Sequence, residues 1–139
     1  MKPDLQFSIL CEDVRQERSG AFCFIGVTGV IRGVRFPHRV GQIFVVNGWC
    51  KGVGKYSQKI KIIARENDKS IFGSDKIEFS LKDLNDKRVI ITQFQNVLIP
   101  SPGDYSVEIS LNEDLKLAYP LVVQKVRMKG IPYPGDQKN

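Results

Sequence analysis

Apolar and polar residues alternate most cleanly in Tyr105-Ser-Val-Glu-Ile-Ser-Leu111. Tyr105, Val107, Ile109 and Leu111 share one face, while Ser106, Glu108, Ser110 and Asn112 share the other. A strand with one dry and one wet face has this period, so residues 104–112 predict a half-buried antiparallel strand. The turn before it is written in Pro100, Pro102 and Gly103. The prolines fix φ and remove ladder donors, and the glycine admits a positive φ.

The same period recurs along the chain. Leu5, Phe7, Ile9 and Cys11 predict a first strand, with Leu10 breaking the alternation near its end. Residues 12–20 read as a charged connection. Residues 21–34 read as one long strand or a bent pair, interrupted by Gly26, Gly29 and Gly33, which mark bulges, bends or close backbone approach. Residues 35–39 read as a basic turn, because Pro37 opposes a central strand. In residues 42–50 Ile43, Val45 and Trp49 face one way and Phe44, Val46 and Cys50 the other, so both faces are buried or the strand is bulged. A flexible Gly turn at residues 51–55 joins this strand to residues 56–65 as a hairpin.

Residues 70–74 read as a short link. Ile77, Phe79 and Leu81 predict a strand, residues 82–87 a helical turn or wide loop, and residues 88–99 a β-branched extended run. A final strand runs on both sides of Pro120, which points to an edge or a switch between sheets. No internal repeat and no long amphipathic helix is present. About eight or nine strands at this spacing predict an all-β antiparallel sandwich or barrel with little or no helix. Scarce alanine (Ala21, Ala64 and Ala118 only) with twelve Gly and seven Pro fits that class. The expected organisation is one domain over residues 1–127 and a flexible or partner-dependent tail over 128–139.

Pro102-Gly-Asp-Tyr105 resembles the tyrosine corner of immunoglobulin-like sandwiches, in which a Tyr near the start of the penultimate strand bonds back to the preceding turn. The resemblance implies a two-sheet immunoglobulin-like sandwich, with Gly103 and Tyr105 structural and Trp49 in the part of the core tryptophan. Val107 stands where those domains carry their second Cys, so an antibody-type disulfide is not implied. The opening Met1-Lys-Pro-Asp-Leu-Gln-Phe-Ser-Ile-Leu-Cys-Glu-Asp-Val-Arg15, with Val46-Asn-Gly-Trp-Cys50 and the Pro-Gly-Asp-Tyr element, resembles an uncharacterised prokaryotic family of small single-domain proteins. That resemblance implies no activity and transfers no catalytic residue.

Charge and chemistry add little. The net charge of +6 favours acidic partners slightly and also suits a solvated, lysine-rich surface. Cys11, Cys23 and Cys50 are odd in number and form no Cys-x-x-Cys, so no zinc or redox motif appears. With no apolar run of signal or membrane-span length, the expectation is a soluble cytoplasmic protein with reduced thiols and no membrane partner.

Cys11-Glu-Asp-Val-Arg15 is the sharpest cluster. Cys11 as nucleophile would need a base, and His38 is the only histidine. Glu12, Asp13 and His38 as a metal set lack the spacing of a metal motif. A small apolar Cys before a charged turn accounts for the same residues. No Gly-x-Ser-x-Gly elbow and no phosphate loop is present. Basic residues gather at Arg32, Arg35, His38 and Arg39, and again at Lys51, Lys55, Lys59, Lys61 and Arg65, near Phe36, Trp49 and Tyr56. Together they would suit a single strand of nucleic acid or another polyanion if they shared one face.

The expected function is therefore non-enzymatic and cofactor-free. It is an accessory or scaffold module that binds an unidentified protein or a second copy of itself, with Arg35, His38, Arg39, Trp49, Lys51 and Lys55 as candidate interaction residues. Polyanion binding is the alternative, and a cysteine- or metal-dependent enzyme a second one.

Overall fold

A computed structural model describes residues 2–127. The tail expected at 128–139 lies outside the described residues. Eleven strands form among them, and no helix. They are β1 (Asp4–Cys11), β2 (Asp13–Gln16), β3 (Phe22–Ile25), β4 (Val30–Gly33), β5 (His38–Cys50), β6 (Gly54–Ala64), β7 (Lys69–Gly73), β8 (Ile77–Leu81), β9 (Lys87–Ile99), β10 (Gly103–Leu111) and β11 (Asp114–Lys125).

One sheet has the order β1-β5-β9. The other has the order β4-β11-β10-β6-β7, with β8 also on β6, and β2 and β3 make a separate hairpin. All pairs are antiparallel except β11 with β4. Strands β1, β5 and β9 take the A-B-E positions of an immunoglobulin-like sandwich, and β11, β10 and β6 the G-F-C positions. The tyrosine corner is present: Tyr105 Oη donates to the Ser101 carbonyl at 2.7 Å. Gly103, with φ of +147°, turns the chain into β10 just before it. The fold is an immunoglobulin-like β-sandwich.

Alternation becomes a core between the sheets. Tyr105, Val107, Ile109 and Leu111 of β10 meet Ile43, Val45 and Trp49 of β5, with Ile60 and Ile62 of β6. Trp49 is wholly buried, but it stands on the strand in the B position rather than on C, where such domains carry their core tryptophan.

Several boundaries differ from the sequence expectation, each for a local reason. The strand count rises from nine to eleven because two short strands, β2 and β7, form in stretches read as a charged connection and a link. Asp13–Gln16 is a strand, pairing Asp13 to Ile25 and Gln16 to Phe22. Of the two alternatives for residues 21–34 the pair is the one formed: β3 and β4 lie in different sheets, and the chain crosses at Gly26, whose φ is +69°. Lys69–Gly73 pairs with β6 rather than linking. Strand β5 begins at His38, just after the cis Phe36–Pro37 bond.

Strands β5 and β9 also change faces together. Val40 and Ile43 both turn toward the core, with Gly41 and Gln42 exposed between them. Opposite, Phe94 and Val97 are buried and Gln95 and Asn96 exposed, with Asn96 at φ +53°. The register is the same on both sides of this break, so the two strands twist as a pair.

Pro120 also has its place. β10 flanks β11 along its length, but β4 joins only at Val122–Lys125, so Asp114–Leu121 is an edge.

Candidate functional site: a groove beside an unfinished strand pair

Strand β1 is shorter than β5 and covers it only from Phe44 to Cys50. Residues His38–Ile43 therefore have β9 on one side and no strand on the other. In an antiparallel ladder alternate residues turn their N–H and C=O groups to opposite sides. Every second residue of this half-strand thus presents backbone donors and acceptors outward. Across the gap stands β4, which pairs only with β11. Between them lies a groove of about 490 Å³.

The groove has an apolar floor of Val30, Ile31, Val40 and Ile43. Thr28, Arg32, His38, Arg39, Gln42 and Glu12 add its polar rim. Four of these are held in place by neighbours: His38, Gln42, Thr28 and Glu12. The His38 ring packs on Gly33, where a Cβ would lie 2.6 Å from its Cγ, and beside Phe36 with 5.9 Å between ring centres. Gln42 Nε2 donates to the Glu12 carbonyl at 3.3 Å, and its Oε1 accepts from Gln93 Nε2 at 2.8 Å. Thr28 Oγ1 bonds both the N–H and the carbonyl of Val30 at 3.0 Å. The Glu12 side chain packs on Gly26, where a Cβ would overlap it.

The candidate residues divide between two ends of the molecule. His38 and Arg39 line the groove, with Arg35 exposed in the loop entering it. Lys51 lies in the turn beyond the far end of β5, about 40 Å away along the strand, and Lys55 at the start of β6 that follows it. Lys51 sits at φ +59°, with Nζ 3.9 Å from Asp4. Trp49 has no exposed surface, so it acts on a partner only through the core.

Glu12 and His38 do line one groove, but Cys11 stays out of it. Cys11 is wholly buried, and burial pushes its thiol above the ordinary range. That environment favours the neutral thiol over the nucleophilic thiolate. Among the described residues no three His, Cys, Asp or Glu side chains gather as metal ligands. Nor is any helix among them long and apolar enough to cross a membrane.

The second basic cluster lies elsewhere. Lys59 and Lys61, with Ser57, Ser110, Lys76 and Glu113, line a depression of about 370 Å³ on the other sheet. Acids interleave there: Glu108 pairs across from Lys61 and Glu78 across from Ser57. Two strands, β11 and β10, separate β6 from β4. The two basic clusters thus do not form a continuous cationic track.

Sequence reasoning named His38 and Arg39 but not the gap that gives them meaning. The signal was a difference in length: β1 has 8 residues and β5 has 13, so part of the longer strand had to go without a partner.

No curated protein matches the chain. The solved structure of the alkylpurine DNA glycosylase AlkC from Pseudomonas fluorescens, bound to DNA containing an abasic site analog, matches 69% of this chain at 11% identity with a TM-score of 0.51. The match spans 28% of the glycosylase chain, and at that identity the likeness is one of fold. An immunoglobulin-like protein from Pseudomonas aeruginosa matches 88% of this chain and 97% of its own at 11% identity, with a TM-score of 0.38. Residues 6–124 match the family of unknown function DUF6941, and the chain belongs to that family.

Proposed function

We propose that this protein is a non-enzymatic interaction module that receives an extended segment of another protein in the groove between β4 and β5. The observation that carries the reading is the unpaired half of β5, His38–Ile43, facing a groove of suitable size. An extended segment laid there would continue the line of β1 and bond to the free backbone of β5. Strand addition of this kind takes its affinity from main-chain hydrogen bonds and its selectivity from alternate side chains. Val30, Val40 and Ile43 favour an apolar residue facing the floor. Arg32 and Arg39, with Arg35 at the entrance, favour acidic residues facing outward. Three free thiols suit a reducing compartment such as the cytoplasm.

The test compares the wild-type chain with an Arg32→Glu/Arg39→Glu variant in affinity capture from the native host. Both arginines are exposed, so the variant keeps the fold, which circular dichroism checks. The expected result is a specific protein retained by the wild type and lost by the variant. Identical sets of captured proteins would remove the reading.

A further inference from the structure

Most strand edges among the described residues are blunted. β1 follows Pro3, breaks register between Leu5 and Phe7, and is crossed near its end where Thr28 N–H bonds the Leu10 carbonyl. β4, β7 and β8 are four or five residues long and carry Arg32, Lys69 and Glu78. The open half of β11 holds Lys116 and Pro120. The open half of β5 faces β4 across the groove described above. Charges, prolines, irregular register and shortness are the usual protections against edge-to-edge pairing.

β9 is the exception. It closes the β1-β5-β9 sheet with one side unpaired. Its window Val89-Ile-Ile-Thr-Gln-Phe-Gln95 carries no charge, no Pro and no Gly, and keeps one register against β5 from Val89↔Gly48 to Gln95↔Gln42. Arg88 bounds it on one side and Asn96, at φ +53°, on the other. Seven residues of this composition span about 23 Å of bare template for another strand.

We propose that β9 pairs antiparallel with β9 of a second copy about a two-fold axis at Thr92, joining two three-stranded sheets into one of six. A two-fold closes on itself and consumes the edge in both copies, whereas open-ended pairing would not. Opposed residues must share a face, which restricts the axis to a self-paired residue. Thr92 is the centre of the uncharged window, so an axis there keeps the whole window paired. Ile91 then lies opposite the partner's Gln93, Ile90 opposite the partner's Phe94, and Arg88 opposite the partner's Asn96. Antiparallel pairing sends the Lys87–Arg88 ends apart, so no like charges meet. This surface is separate from the groove between β4 and β5, and its test is independent of the groove's occupant.

The experiment measures mass by sedimentation equilibrium for the wild-type chain and for Ile91→Lys/Gln93→Lys, with a Leu117→Lys control on the β11 edge. The wild type and the control should be dimers, and the double variant should dissociate at least about tenfold more readily. A second measurement does not depend on that variant folding. Thr92→Cys in a Cys23→Ser background should give a disulfide-linked dimer under mild oxidation, because self-paired strand positions lie within disulfide range. Gln95→Cys in the same background should not. A monomer at every concentration overturns the proposal. So does a dimer indifferent to the lysines, or one linked through residue 95 and not through residue 92.

Discussion

The indole Nε1 of Trp49 donates to Oε1 of Gln58 at 2.8 Å, and both side chains are sealed between the two sheets. The same oxygen accepts from Asn47 Nδ2 at 3.0 Å. One amide oxygen thus satisfies two buried donors from the facing sheet, and it fixes which way the Gln58 amide points. Gln58 Nε2 and Asn47 Oδ1 are left without partners. Gln58→Met keeps the volume and orphans both donors, each at a cost of roughly 1–3 kcal/mol. The expected result is a lower urea midpoint with an unchanged slope. Adding Asn47→Leu should recover part of the loss, since replacing donor and acceptor together is milder than stranding one.

The tyrosine corner is measurable in the same way. Tyr105 is buried, and its hydroxyl reaches back four residues to the Ser101 carbonyl. Tyr105→Phe keeps the ring and removes the bond, so it should cost roughly 0.5–1.5 kcal/mol in chemical denaturation. Unchanged stability would mean that the ring alone carries the residue's role.

Legibility followed the alternation. β10 was readable because Tyr105 to Leu111 alternates without a break. The corner was readable because Pro102-Gly-Asp-Tyr105 is a local string. β2 was not, because Asp13, Arg15 and Gln16 belong to a small exposed hairpin whose pairing with β3 is tertiary. The exchange of faces at Gly41 and Asn96 was hidden too, since it takes both strands to reveal that each carries one extra residue. His38 and Arg39 stood out as a basic cluster, but the groove exists because β1 stops at Cys11, opposite Phe44. Partial strand cover is a property of the pair, not of either segment.

Gly48 supplies a packing prediction. The Phe7 ring lies on it across the β1–β5 pair, and a Cβ there would overlap the ring. Phe7 in turn touches Phe24 of the β2–β3 hairpin, with 6.1 Å between ring centres. Gly48→Ala should therefore displace Phe7 and cost about 1–3 kcal/mol. The cycle with Phe7→Ala isolates the cause. If the clash is with the ring, the glycine substitution becomes nearly neutral in that background, a coupling that thermal or urea melts resolve.

The pH dependence of the β8–β9 turn has a definite sign. The Asp86 carboxylate accepts the Lys82 N–H at 2.8 Å and the Lys87 N–H at 2.9 Å. The Lys82 bond first, and the Lys87 bond and the nearby Arg88 and Lys82 charges after it, hold its carboxyl below the usual range. A folded-state value below the unfolded one means the group stabilises the native state above the unfolded value of about 3.9. That contribution fades as pH falls through the folded value, where both states are protonated. Asp86→Asn removes the titration while keeping the shape. The wild type should be the more stable of the two near neutral pH, with the gap closing below about pH 4. Carboxyl NMR of the wild type should place the Asp86 midpoint below that of a free aspartate. A gap that stays constant down to acid pH would mean that the charge on Asp86 contributes nothing and the turn is held by its hydrogen bonds alone.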